Sequence, residues 1–436
     1  MTWALDARNA GWLLVDKLLR FIGGAVIGIV VARFLGPEQF GKLNFAQAWV
    51  GMFAGIAWLG VGDSVIRDLV QRPEMESRII GTAWRLRLVG SMIALLLALT
   101  LYIALGHGSA DGIAMVLVLG LAVLVLEPTS VSVLWLQAHR QLKPVSIARM
   151  IGYAVHQGWR LIAVLAGLGI VAIAAGALVE AMITSAMLLY AYSKTSAPRL
   201  RGTWDAGEAR RILKQGTPIM IGALLGTMFL RIDQVILGQV SGNHELGIYS
   251  AAARLSEVWW VLPSLIMQSI APRLFYAQSL DESTLRYRLT MTSCVLFYTA
   301  LLAATLTTLF ADQLVPFLLG EKYQASASVL VIHTWIAVFV FLDAAAYQYL
   351  ISRDLQRFIM VRAGIALLIN AGAAILLAPE YGARGVAAGA LLAYFFTAVV
   401  AYLFSAKTRV IVVCQLRALV SLPAVFARLL RGRNSS

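Results

Sequence analysis

Charged side chains are scarce in this chain: Asp, Glu, Lys and Arg together make up 13% of its 436 residues, while apolar ones make up 60%. Soluble domains carry about a quarter charged residues and at most about half apolar ones, so a water-soluble globule is excluded as the expected class. Cysteine is scarcer still. The two copies are Cys294, inside an apolar run, and Cys414, near the C-terminus, which excludes a disulfide framework and a CxxC metal site. There is no HExxH and no GxxxxGK[ST] loop, so neither a zinc peptidase nor a P-loop nucleotide engine is expected. No small-residue cleavage site accompanies the first apolar stretch, which has Asp6 and Arg8 ahead of it. That stretch is expected to stay as an anchor.

What is abundant is apolar sequence of spanning length. A bilayer-crossing helix needs about 20 apolar residues, and twelve such runs are read at residues 12–34, 43–65, 86–106, 112–135, 147–168, 170–192, 217–240, 249–270, 289–311, 327–350, 358–378 and 385–406. The mean hydropathy of +0.79 agrees. Most of the 36 Lys and Arg residues fall at the N-terminus, in the stretches 66–87, 136–149, 194–215, 271–288 and 352–362, and after 406. Because cytoplasmic loops hold the basic excess, both termini are expected to be cytoplasmic. The formal charge of +14 is thereby explained without nucleic acid as a partner. Every connection on the opposite side is short, which leaves no room for an extracytoplasmic catalytic domain.

The longest cytoplasmic connection, 194–215, is basic and lies near mid-chain. It divides the expected domains: an N-terminal lobe 1–193, a linker 194–215, a C-terminal lobe 216–406 and a basic amphipathic tail 407–436. The halves share a faint repeat. Gly36-Pro-Glu-Gln-Phe-Gly41 follows the first span, and Gly242-Asn-His-Glu-Leu-Gly247 follows the seventh; later, residues 169–178 match 382–391. Internal repeats of six spans are a transporter signature. The expected fold is an all-α integral membrane protein with about twelve transmembrane helices in two six-helix lobes around a central cavity.

The stretch from Val31 to Ala48 (VARFLGPEQFGKLNFAQA) resembles the first hairpin of the polysaccharide-exporter and O-antigen flippase family, and Gly247 to Arg254 (GIYSAAAR) and Gly320 to Tyr323 (GEKY) are similar to its later motifs. The family belongs to a superfamily that includes multidrug/toxin extruders and lipid II flippases. The resemblance implies a bacterial inner-membrane flippase. Its cargo would be an undecaprenyl-pyrophosphate-linked oligosaccharide, moved from the cytoplasmic to the periplasmic leaflet by alternating access, and the polysaccharide polymerase machinery would be a partner. No bound cofactor is expected; coupling to H⁺, Na⁺ or the membrane potential is.

Ionisable groups inside spans cost about 2.5–3.5 kcal/mol each, so each needs a reason. Asp16 and Arg20 lie one turn apart on one face of the first helix, where Arg20 would meet a diphosphate and Asp16 would hold it; a self-contained ion pair is the alternative. Arg231 and Asp233 are two apart on the seventh span and point in different directions. Arg20 and Arg231, with Arg254 and Arg160 behind them, are the expected diphosphate ligands, because guanidinium forks match phosphate oxygens. Asp233, Asp343 and Glu180 are the carboxylates placed to take a coupling ion, with service as counter-ion to a neighbouring arginine as the alternative. His156 shares a helix face with Arg160, and Gly24-x-x-x-Gly28 permits close helix approach. A multidrug extruder would use the same fold for another cargo. A membrane glycosyltransferase or polymerase lacks its extracytoplasmic loop here, and a passive scaffold leaves these charges without a task.

Overall fold

The computed structural model describes residues 2–267, 270 and 281–420; the side chains of residues 2–19, 21 and 22 lie outside the description. Among the described residues every regular element is helical. The chain forms two compact units, residues 1–235 and 236–436.

Unit 1 begins with α1 (Thr2–Ala57), which breaks at Gly36, where φ is 70° and ψ is 170°. A side chain resists that left-handed φ, and Pro37 then restarts the helix with a ring that needs no hydrogen-bond acceptor. The first and second expected spans are the two arms of this element. After α2 (Asp63–Gln71), α3 (Glu76–Ala104), α4 (Ala110–Thr129), α5 (Val131–Ala138), α6 (Leu142–Leu165) and α7 (Ile170–Ser193) form the rest of the bundle. The division between α6 and α7 falls at the Gly167–Gly169 punctuation. α7 packs between α4 and α6, and α1 lies on α3 and α6.

The basic connection after α7 is bound down along α3. Arg85 donates to the Gly202 carbonyl at 2.8 Å, and the Asp205 amide donates to Thr82 Oγ1 at 3.1 Å. Asp205 then caps α8 (Ala206–Phe229) by accepting the Glu208 amide at 3.0 Å. Arg72 grips Glu208 with two hydrogen bonds of 2.7 and 2.9 Å, while Arg211 pairs with the buried Asp68. These ties keep α8 with unit 1. The division of the chain therefore comes after Val235, inside α9 (Ile232–Val240), downstream of the 194–215 connector.

Unit 2 continues with α10 (Gly242–Glu257), α11 (Glu282–Leu319), α12 (Ser326–His333), α13 (Ile336–Ser352), α14 (Gln356–Ala398) and α15 (Arg409–Val420). Its core joins Leu285, Leu289 and Leu296 of α11 to Phe341 of α13, Tyr402, and Ile411 and Cys414 of α15. Residues Gln356–Phe404 form a 49-residue helical stretch, which if straight would run about 74 Å, more than twice the ~30 Å hydrocarbon core. It breaks at Gly382, with φ 53°, where Glu245 accepts the Ala383 amide at 2.9 Å. The eleventh and twelfth expected spans are its two arms.

Among the described residues seven helices are long and apolar enough to cross a membrane by length and composition, and the protein is an all-α integral membrane protein. The expected spans that are interrupted include the second at residues 58–62, the fourth at Ser130, the seventh at Leu230–Arg231 and the tenth at Thr334–Trp335. Broken helix inside a membrane is tolerated where protein groups or a watery cavity satisfy the freed backbone. Each break sits beside a polar side chain that sequence hydropathy averages away. Of the expected basic tail, 409–420 is α15 and residues 421–436 lie outside the described part.

Candidate functional site

Helices α1 to α7 and the turn after α1 line a cavity of about 510 Å³ within unit 1. For an apolar bundle its wall is unusual, since Arg20, Arg87, Arg149, Asp63, Glu127 and Glu180 all reach it. Two networks organise these charges.

In the first, Arg20 of α1 donates to Glu180 Oε1 of α7 at 3.2 Å and to the Arg149 carbonyl of α6 at 2.8 Å. The other carboxylate oxygen, Glu180 Oε2, is 2.6 Å from His156 Nδ1 of α6. Tyr153 lies under the Arg20 guanidinium, 5.0 Å from its ring centre, and its hydroxyl donates to the Arg20 carbonyl at 2.6 Å. Gln157 donates to the Tyr153 hydroxyl, and buried Arg160 donates to Gln157 Oε1 at 3.3 Å. The glycine stripe on α1 makes room for this tyrosine: a Cβ at Gly24 would come within 2.9 Å of its hydroxyl, and one at Gly23 within 3.3 Å of its ring.

In the second network, Arg87 of α3 donates to Glu127 Oε2 of α4 at 2.6 Å, to Ser130 Oγ in the α4–α5 break, and to the Val61 carbonyl. Trp58 donates to Glu127 Oε1 at 3.0 Å. The helix break thus serves the site, because it turns Ser130 toward the guanidinium. Both networks pair a cation with a carboxylate that itself has a second partner, so neither is a simple two-body salt bridge.

Among the residues expected from sequence, Arg20 and Glu180 meet directly at the cavity, and Arg160 stands behind Tyr153. Asp16 has its side chain outside the described part. Arg231 is exposed in the turn between α8 and α9, its aliphatic stem beside Gly51 of α1, while Asp233 is buried and accepts the Gln234 amide at 2.8 Å. Neither is among the lining residues. Arg254 lies on α10 in unit 2, beside the buried Tyr323 hydroxyl, which burial raises above its ordinary pKa while Arg254 opposes the shift. Asp343 of α13 is held by both arms of Arg362 from α14 and by the Tyr402 hydroxyl at 2.5 Å. Sequence reasoning gave no role to Arg87, Arg149, Glu127 or Arg362. Arg149, Tyr153, His156, Gln157 and Arg160 do form a polar stripe at helical spacing, which is the signal that would have drawn α6 to the site.

Residues 7–278, more than half of the chain, match the family described as polysaccharide biosynthesis protein. A Shigella flexneri protein named "Putative O-antigen transporter" is 22% identical over 308 residues, 68% of this chain and 72% of its own length. Two solved structures are similar in fold. One is the inward-facing conformation of a multidrug resistance MATE family transporter of the MOP superfamily, with TM-score 0.71, 17% identity, and coverage of 91% of this chain and 95% of that one. The other is the lipid II flippase MurJ in an inward closed conformation, with TM-score 0.71, 15% identity, and coverage of 95% and 93%. This chain belongs to the polysaccharide biosynthesis protein family and has the all-helical membrane transporter fold of these two structures.

Proposed function

We propose that this protein is a flippase that turns an undecaprenyl-pyrophosphate-linked oligosaccharide, an O-antigen or exopolysaccharide repeat unit, from the cytoplasmic to the periplasmic leaflet by alternating access. The observation that carries this reading is the guanidinium wall of the unit 1 cavity. Arg20 lies inside an apolar run and Arg87 and Arg149 at span ends, and guanidiniums gathered on one cavity call for anionic partners there, a place that Glu180 and Glu127 now take for Arg20 and Arg87. A diphosphate presents oxygens on which such forks can close in pairs. The volume of about 510 Å³ lies within the range of small-ligand sites, enough for the charged head and its first sugars, while the polyprenyl chain stays in lipid.

Glu180 and Glu127 hold the guanidiniums when no substrate is present, so loading is an exchange of carboxylate for phosphate. Glu180 also faces His156. A proton delivered to this pair weakens the carboxylate's hold on Arg20 and frees the fork for the diphosphate; H⁺ is the coupling ion this geometry supports, with Na⁺ and the membrane potential as alternatives. Asp343, held by Arg362, is better suited to a counter-ion role. The protein would work in the bacterial inner membrane with both termini cytoplasmic, supplying the polymerase machinery that consumes the flipped unit.

The test is deletion of the gene in its own host and extraction of lipids. Accumulation of undecaprenyl-diphosphate-linked oligosaccharide facing the cytoplasm, reversed by the wild type and not by Arg20→Ala or Arg87→Ala at equal expression, is the expected result. The second reading is a cation-coupled multidrug extruder, favoured by the carboxylates Asp63, Glu127 and Glu180 in the same wall. Normal surface glycan together with altered drug sensitivity in the deletion strain would replace the first reading by the second.

A further inference from the structure

The first turns of α11 and the length of α15 meet at one end of unit 2 around a surface cavity of about 660 Å³. Glu282, Ser283, Arg286, Tyr287 and Thr290 line it from α11 and Arg417 from α15. α11 has 38 residues, about 57 Å of helix against a hydrocarbon core of ~30 Å, and its apolar run starts only near residue 289. Residues 282–288 therefore stand at headgroup depth.

α15 is not a loose tail. Ile411, Cys414, Gln415 and Ala418 are buried, Gln415 donates to the Ala398 carbonyl at 3.0 Å, and the Tyr298 hydroxyl of α11 donates to the Leu419 carbonyl at 2.7 Å. Its other face turns Val413, Leu416 and Val420 outward, with Val420 80% exposed. An apolar strip thus runs beside Arg417 along a helix fixed to a membrane-spanning one. The charges around the cavity sum to positive. Glu282 is shared between Arg286 at 3.2 Å and Arg353, the Asp281 carboxylate is engaged by Ser283 and Thr284, and Arg417 has no ion pair among the described residues. The sequence after residue 420 brings Arg428, Arg431 and Arg433 and no acid, so like charge disfavours that segment as the occupant and favours an anion.

We propose that this cavity binds the phosphate headgroup of an anionic phospholipid from the surrounding leaflet, with Arg286 and Arg417 on the phosphate and the acyl chains along Val413, Leu416 and Val420. The site is separate from the unit 1 cavity and stands whatever cargo the protein moves. Basic side chains at a membrane surface attract anionic lipid, and the apolar strip accounts for a diacyl lipid in place of free phosphate.

The experiment is native mass spectrometry of the full chain titrated with phosphatidylglycerol or with phosphatidylcholine. Wild type should retain phosphatidylglycerol preferentially, and Arg417→Gln should cut that preference about fivefold, the value of one basic residue near an anionic surface; Arg286→Gln with Arg417→Gln should cut it further. Arg78→Gln, an exposed arginine of unit 1, should leave it unchanged. Equal retention of the two lipids by wild type, an unaltered preference in Arg417→Gln, or an equal loss in Arg78→Gln would overturn the proposal.

Discussion

The two units use the same chemistry, an arginine from one helix set against a carboxylate from another, to different ends. In unit 1 the pair Arg20–Glu180 is 33% and 20% exposed, borders a cavity, and has His156 as a third member. In unit 2 the contrast lies on the cation: Asp343 is 26% exposed but Arg362 only 7%, and its donors are spent on Asp343, the Thr397 carbonyl and Tyr402, with Phe358 stacked on the Tyr402 ring. An ion pair that opens onto a void can exchange partners at modest cost. One closed by a hydroxyl, a carbonyl and two rings cannot, because parting it leaves buried charge unsatisfied. Exchange suits transport; closure suits a rigid scaffold.

The largest expected effect tests the closed pair. Arg362→Ala should destabilise the protein by about 3 kcal/mol, the low end of the cost of stranding one partner of a buried pair, because the Asp343 left behind is part-exposed and keeps the Tyr402 hydroxyl; the readout is a lowered melting temperature in detergent. Arg20→Ala should leave the melting temperature close to wild type while abolishing transport. If Arg362→Ala melted like wild type and lost transport instead, the unit 2 cluster would belong to the working site and the contrast between units would fail.

Next in size is a packing effect. The turn holding Gly60 lies so close to α8 that a Cβ on Gly216 would meet the Gly60 carbonyl oxygen at 2.5 Å and its Cα at 2.6 Å. Gly216→Val should therefore push α8 off unit 1 at a cost of about 1–3 kcal/mol. Cysteines placed at exposed Arg67 and Gln215, whose long side chains meet tip to tip at 3.1 Å, should be bridged by a bifunctional thiol reagent readily in the parent and slowly in the variant. Unchanged cross-linking would mean that α8 is held by the Arg72–Glu208 and Arg211–Asp68 pairs alone.

The open pair carries the third prediction. Arg20→Ala, Glu180→Gln and the double variant should show a coupling of about 1–2 kcal/mol in affinity for a diphosphate-bearing substrate analogue, with Glu180→Gln alone binding more tightly because the guanidinium loses its internal competitor. Additive effects would break the exchange idea and leave Glu180 as a static counter-ion.

These pairings also mark the limit of what the sequence discloses. Arg20 and Glu180 stand out because each is a charge inside an apolar run, and Gly36-Pro37 and Gly382 lie between expected spans, where the structure turns. Arg87, Arg149 and Arg362 were hidden for the opposite reason: each sits at the end of a span, where a basic residue is already explained by orientation in the membrane. The partner choice was invisible as well. Helical spacing suggested Asp16 for Arg20, a pairing that lies outside the described side chains, whereas Glu180 comes from 160 residues away, and only the packing of α1, α6 and α7 brings it to Arg20. Residue pattern specifies which side chains need a partner; tertiary geometry decides which partner they find.

The smallest effect belongs to the edge of unit 2, where Asp281 caps α11. Its carboxylate accepts from Ser283 Oγ at 2.6 Å, and from the Thr284 amide and hydroxyl at 2.7 Å each, and these bonds hold its pKa down at about 2. Hydrogen bonds that favour the charged form make the folded carboxyl more acidic than the unfolded one, near 3.9. A depressed folded pKa means that the stabilisation is complete above the unfolded value and disappears as pH falls through the folded one. The gap in melting temperature between wild type and Asp281→Ala should therefore be constant from neutral pH down to about 5, narrow below about 4, and be nearly closed near 2. A gap that persisted to the bottom of that window would mean the neutral carboxyl caps as well as the charged one. The charge at this edge would then have no structural use, in contrast to the buried charge of Arg362.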